Sequence, residues 1–180
     1  MAEAAGLMEA PTLISSGDAS PVSPAVLARI DALQVRYIRA LDLRDMAAWA
    51  ASFEGGDASY ICIARENEEQ GLPLAIMLDD NQNRISDRVQ YVTKIWAGTF
   101  EDYTTRHFVQ RTAEARRADG LFEVETNFLV AYTTTRGQSE VLVSGNYKDV
   151  VQVGEAGATF RSKRAVLDTA VLPRYLVYPV

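Results

Sequence analysis

Cys62 and His107 are the only cysteine and the only histidine in the chain, and that inventory bounds its chemistry before any fold is considered. A four-cysteine iron–sulfur site, or a Rieske site with two cysteines and two histidines, needs more donors than the chain contains. A two-histidine, one-carboxylate iron site fails on the same count. Phosphate-binding signatures are missing too: neither GxGxxG nor GxxxxGK followed by Ser or Thr occurs, and Gly154 and Gly157 fall in a hairpin connection. No catalytic, cofactor-binding or metal-binding residue is therefore assigned to this chain.

Acid–base chemistry remains. His107, in TTRHFVQ at the start of a long strand pattern, would be a general base if its ring faced a pocket near a carboxylate such as Asp42 or Asp57. The plainer reading, adopted here, is a ring hydrogen-bonded across a sheet or at a subunit boundary. Arg106 and His107 are strand neighbours and point to opposite faces, so only one of them can face a cavity. Cys62, between Ile61 and Ile63, is read as a packing thiol, since a reactive one needs exposure and a lowered pKa. Asp168 follows an apolar run and could be an inward acid or base; ion pairing with Arg161, Lys163 or Arg164 is the reading preferred. Glu66, Glu68 and Glu69 form a solvated or interface-rim run rather than a coupled carboxylate pair. Trp49 and Trp96 sit among aliphatic neighbours and are assigned to packing rather than cofactor stacking.

The elements that would position these residues follow from periodicity. Residues 1–22 show no sustained period and read as a loose arm, leaving 23–180 as one domain. Ser23–Pro24 has the chemistry of a helix start. Val26, Leu27, Ile30, Leu33, Tyr37 and Leu41 then lay an apolar stripe along a helix over about 24–41. Asp45 caps a short second helix through Met46, Trp49 and Phe53. A third starts at Asp79 or Asp80, buries Ile85, Val89, Val92, Ile95 and Trp96, and stops near Gly98. Residues 60–63 and 74–78 read as extended.

Four long strand segments, 104–117, 121–136, 139–153 and 158–171, are separated by glycine-bearing turns. Phe122, Val124, Phe128, Val130 and Tyr132 share one face of the second. Val141, Val143, Tyr147, Val151 and Val153 share one face of the third. Three helices covering a curved antiparallel sheet make an α+β cone of the nuclear-transport-factor-like kind, a fold open to enzymes and scaffolds alike.

Eighteen Lys and Arg against 24 Asp and Glu leave a formal charge of −6, which opposes non-specific attraction to nucleic acid. The opening MAEAAGLMEA lacks a secretory pattern and no apolar run could span a bilayer. A soluble, cytoplasmic protein with neither nucleic acid nor membrane as partner is expected.

ARENEEQGLPLAIMLDDNQNRISDRV, then IWAGT, TRHFV, TNFLV, SGNYKDV and RSKRAVLD, in that order over about residues 60–170, resemble the small, or beta, subunit of the aromatic-ring-hydroxylating (Rieske non-haem iron) dioxygenases. That resemblance implies an NTF2-like cone without a catalytic centre, in an assembly of three large and three small subunits (alpha3beta3). The Rieske [2Fe–2S] cluster and the mononuclear non-haem iron would lie on the large subunit. A reductase, sometimes with a ferredoxin, would bring electrons from NAD(P)H for hydroxylation of an aromatic ring by O₂. Arg84, Asp87, Arg88, Arg106 and His107 would then be scaffold or interface residues. The competing readings are a stand-alone isomerase or dehydratase with His107 as base, and a non-enzymatic ligand binder or regulatory dimer.

Overall fold

Ser23 and Pro24 do open the first helix, α1 (Pro24–Asp42): the Ser23 hydroxyl accepts from the Val26 N–H at 3.4 Å, supplying a partner the first turn otherwise lacks. The computed structural model describes residues 21–99 and 102–180. Most of the arm expected over 1–22 lies outside them, and Val22 packs against the core. The buried face of α1 carries Ile30, Leu33, Tyr37 and Leu41 as expected, and also Gln34. Arg44 turns the chain with φ 57° into α2 (Met46–Ala50), where the Asp45 carboxylate accepts from the Ala48 N–H at 2.9 Å.

Two short strands, β1 (Ser59–Ala64) and β2 (Ala75–Asp79), pair antiparallel around a one-turn helix, α3 (Arg65–Glu69). The next helix, α4 (Gln82–Gln90), is capped by Asn81, whose side chain accepts from the Asn83 and Arg84 N–H groups. Neither aspartate expected to start it is free for capping: Asp79 is drawn to Arg88 and Asp80 to Arg84. α4 continues as a π-helical turn, Tyr91–Ile95. The wider turn rotates side chains off the α-helical register, so Ile85 and Val92 are buried while Ile95, expected inside, is 62% exposed.

The remaining strands, β3 (Tyr103–Arg116), β4 (Phe122–Thr134), β5 (Ser139–Gly154) and β6 (Gly157–Leu167), form the expected meander, the last ending four residues early. β6 also pairs in parallel with β1, which the strand patterns did not announce. The sheet order is β2-β1-β6-β5-β4-β3.

α1 crosses the inner face of this sheet. It is tied to β3 by Asp31–Arg111 and Asp42–His107, to β5 by Gln34–Asp149, and to β6 by Arg36 donating to the Ala158 carbonyl. The core between them holds Tyr37, Trp49, Tyr60, Phe128, Tyr147 and Phe160, with Phe128 stacked on Tyr147 at 4.2 Å. That stacking is crowded from β5: a Cβ on Gly145 would lie 2.1 Å from the Val166 carbonyl oxygen and 2.8 Å from the Phe128 ring. On the outer face, Ile61, Ile63, Val166 and Ala75 form a second small cluster. The architecture is the α+β cone expected, with α1 inside and α3 outside rather than every helix on the concave face.

Candidate functional site

The centre of the cone, where such a fold could hold a ligand, is filled by a buried ion pair. Asp149 on β5 and Lys163 on β6 are register partners, and Lys163 Nζ lies 2.9 Å from Asp149 Oδ2 with both side chains fully buried. Gln34 Nε2 donates to the same oxygen at 2.5 Å, and Lys163 donates to Gln34 Oε1 at 3.2 Å. The ammonium is boxed by Tyr147, Phe160 and Tyr37 at 3.6, 4.4 and 4.5 Å from the ring centroids, close enough for cation–π attraction. Burial pushes Lys163 down to about 8 against the pull of Asp149. Burial likewise holds the Asp149 carboxyl above its ordinary range despite Lys163 and Gln34.

Towards the β3 end of α1, His107 and Asp42 form a dyad. His107 Nδ1 is 2.7 Å from Asp42 Oδ1, the His107 main-chain N–H donates to Asp42 Oδ2 at 3.2 Å, and Thr105 Oγ1 donates to Oδ1 at 3.0 Å. Burial alone would raise the Asp42 carboxyl, but these donors outweigh it and hold it below the ordinary range. The carboxylate therefore fixes the ring tautomer with hydrogen on Nδ1. His107 Nε2 is buried and meets no hydrogen-bonding partner. The ring borders a void of about 10 Å³ closed by Leu176, Tyr178, Pro179 and Val180, room for about one water molecule and no substrate. Asp57, the other carboxylate considered for His107, is exposed and lies 3.6 Å from Arg161.

The polar stretch from Tyr60 to Val89 resolves into internal ties. Arg88 holds Asp79 with two hydrogen bonds, at 2.9 and 3.0 Å, joining α4 to β2. Glu68, expected in a solvated run, is buried: its Oε1 accepts from Arg164 at 3.0 Å and Lys148 at 3.2 Å, pinning α3 to the outer face of the sheet. Glu66 and Glu69 are exposed. Asp168 pairs with Arg65 and accepts from Ser144 Oγ at 2.7 Å, rather than with Arg161, Lys163 or Arg164; Lys163 faces the other side of the sheet. Among the five residues given scaffold or interface roles, His107 and Arg88 make the internal contacts above. Arg84, Asp87 and Arg106 are exposed.

Of the two residues whose chemistry limited the metal readings, His107 is tied to Asp42 and Cys62 is a packing group. Cys62 is fully buried and its thiol is pushed up to about 12 by burial, which fits packing and opposes reactivity. No cluster of three or more His, Cys, Asp or Glu side chains able to hold a metal occurs among the described residues, so the donor set does not fit either iron centre of a Rieske oxygenase. Trp49 is fully buried against Phe53 and Tyr60; Trp96 packs at the core margin beside Tyr91. Among the described residues, no helix is long and apolar enough to cross a membrane.

Residues 36–174 match the family profile described as ring hydroxylating beta subunit, a span that takes in the dyad, the buried pair and the whole sheet. The chain belongs to this family. Its sequence is 33% identical over 148 residues to the small subunit of anthranilate 1,2-dioxygenase from Burkholderia cepacia, covering 82% of this chain and 90% of that one. It is 24% identical over 156 residues to a terminal oxygenase beta subunit of terephthalate 1,2-dioxygenase from a Comamonas species, covering 84% and 97%. A crystal structure from Novosphingobium aromaticivorans, provisionally assigned as the beta subunit of an aromatic-ring-hydroxylating dioxygenase, superposes with a TM-score of 0.72 at 26% identity, over 83% of this chain and 94% of that one.

Within this beta subunit, the residues that sequence reasoning missed are Gln34, Asp149 and Lys163. Gln34 lies on the apolar stripe of α1, and Asp149 lies between Tyr147 and Val151 on the inward face of β5. A polar residue in phase with a buried face was the signal for both. Lys163 had no such signal.

Proposed function

We propose that this beta subunit is a structural, non-catalytic component of an aromatic-ring-hydroxylating oxygenase. The large (alpha) subunit would carry the Rieske [2Fe–2S] cluster and the mononuclear iron, and together they would supply the activation of O₂ by NAD(P)H-derived electrons. An alpha3beta3 assembly in the cytoplasm, served by a reductase and in some systems a ferredoxin, is the arrangement that family membership favours. Two relatives are named for dioxygenases of anthranilate and terephthalate, which supports an aromatic carboxylic acid as the substrate class of the assembled enzyme.

The observation that carries this reading is where the polar and apolar groups lie. The interior is packed and holds the fully buried charges of Asp149 and Lys163 against each other, whereas an open groove of about 860 Å³ on the outside is lined by Ile76, Trp96, Leu172 and Tyr175. Ile76 and Leu78 are exposed along β2 and Leu74 just before it, and Tyr91, Ile95, Val171 and Tyr175 are exposed nearby in sequence to the groove residues. Apolar surface on this scale suits contact with another subunit.

Co-expression with a large subunit bearing the Rieske Cys and His spacing tests the proposal. The expected result is a complex containing both chains, with the iron lost from this chain's fraction when they are separated. Stoichiometric iron, or turnover of an aromatic substrate, in this chain purified alone would refute it.

A further inference from the structure

We propose that copies of this chain dock head to tail: the outer face of β3, β4 and β5 on one copy receives the β2 edge of the next. The contact deepens the scaffold role and rests on it, by naming the surfaces that meet another copy of this chain rather than the large subunit. α3 covers the outer face of the sheet beside β1 and β6. Over the other half, apolar side chains stay bare. Phe108 on β3 and Leu129 on β4 are register partners, and Ala131, two residues along β4, is the partner of Val141 on β5. Phe108 is 62% exposed, with Leu129 and Val141 exposed beside it. Gln110, Asn127 and Asn146 continue the same face as a polar margin, so the patch has the apolar centre and hydrogen-bonding rim of an interface.

The second surface lies at the opposite edge of the sheet, where β2 is the terminal strand. Its sequence, AIMLD, holds neither Lys nor Pro to deter pairing. Leu74 just before it is 58% exposed, and Ile76 and Leu78 are exposed along it. Charge selects the occupant. Arg106 shares the outer face with Phe108 and is the register partner of Ala131; its guanidinium donates to the neighbouring Thr105 carbonyl at 2.7 Å and meets no carboxylate among the described residues. Asp168, which reaches the margin of this patch through Ser144, is already held by Arg65. At the other edge, Asn67 donates to the Leu74 carbonyl at 3.2 Å and ties α3 to the start of β2. Arg65 of that helix is taken by Asp168, and Glu68 by Arg164 and Lys148. Glu66 and Glu69 are exposed and have no ion-pair partner among the described residues. An unpaired cation beside one apolar surface thus answers two unpaired carboxylates beside the other, and because the two surfaces lie at opposite edges of one sheet they meet only between copies. A contact between unlike surfaces repeats from copy to copy and closes a ring where the rotation allows.

The test uses two variants of the full chain, Phe108→Cys and Leu74→Cys, produced together and treated with a short bis-maleimide, both without and with the co-expressed large subunit. Cys62 is fully buried, and the unaltered chain is its control. The mixture is expected to give a crosslinked pair of copies in at least fivefold greater yield than either variant by itself. Adding Arg106→Glu to the Phe108→Cys chain should cut that yield at least fivefold, and adding Glu66→Arg and Glu69→Arg to the Leu74→Cys chain should then restore it to within twofold. All the substituted side chains are exposed, and the restoration separates lost contact from lost folding. Absence of the pair from both preparations overturns the proposal, as does a Phe108→Cys chain that links to itself as readily as to the Leu74→Cys chain, or a yield indifferent to the charge changes. A large subunit recovered with this chain but no linked pair overturns this contact and keeps the scaffold role; a linked pair in a chain that recovers no large subunit keeps this contact and counts against the scaffold role.

Discussion

Replacing Lys163 by Met leaves Asp149 buried without its cation, and the structure sets the size of the effect. At the observed 2.9 Å, the attraction between unit charges is about 6 kcal/mol with an effective dielectric constant near 20. Asp149 need not remain charged, however. Taking up a proton at pH 7, against an ordinary carboxyl pKa of about 3.9, costs about 4 kcal/mol, which caps the penalty. Asp149→Asn strands Lys163 instead, and releasing its proton at pH 7 costs about 5 kcal/mol by the same reasoning. Each single variant should therefore lose about 3–5 kcal/mol in urea unfolding followed by circular dichroism at pH 7. The double variant Asp149→Leu/Lys163→Met should recover most of that loss, since no buried charge is left unpaired.

A pH series sharpens the test. In Lys163→Met the folded-state pKa of Asp149 stands far above its unfolded value, so the stability it contributes is present below the unfolded pKa and is lost as pH rises. Lowering the pH from 7 to 5 should then return about 2.7 kcal/mol relative to the unaltered chain. Single losses below about 1 kcal/mol, or a deficit that does not change with pH, would refute the claim that this pair is buried and coupled.

Three further outcomes follow from other sites. Gly145→Ala should destabilise by about 1–3 kcal/mol in the same unfolding assay, because the added methyl group meets the Val166 carbonyl and the Phe128 ring rather than open space. Burial raises Tyr37, Tyr60 and Tyr147 well above the ordinary value; their contribution is present below about pH 10 and lost above it, so ultraviolet titration should show these rings ionising only with global unfolding. Arg88→Ala should cost about 3 kcal/mol by leaving Asp79, 6% exposed at its side chain, without its bidentate partner, and hydrogen exchange should quicken first in β2 and α4.

Reading the sequence located the helices and the meander because their burial follows a regular period. The stripe Ile30, Leu33, Tyr37 and Leu41 and the alternation from Phe122 to Tyr132 both correspond to buried faces. The residue inventory alone, one cysteine and one histidine, also determined that no standard Rieske or facial-triad iron site could be built within this chain. His107 and Asp42 could be named as partners from the sequence, but only as one of two carboxylate choices. Their 2.7 Å contact, and the closing of the space beside them by residues 176–180, depend on chain segments far apart in sequence.

What tertiary structure decided is concentrated where a regular period breaks. Ala158 and Phe160 face inward on β6, and simple alternation would carry that face to Ser162 and Arg164. A register shift opposite Val150 and Val151 moves the inward phase to Lys163, Ala165 and Leu167, placing a lysine in the core beside Asp149. A second shift between Val130 and Ala131 turns Val141 outward although Val143 stays buried, correcting the face expected for β5. The π-helical turn does the same to Ile95. One extra residue in a strand or turn reverses which side chains face the core, and its position is set by pairing with neighbouring strands rather than by local composition.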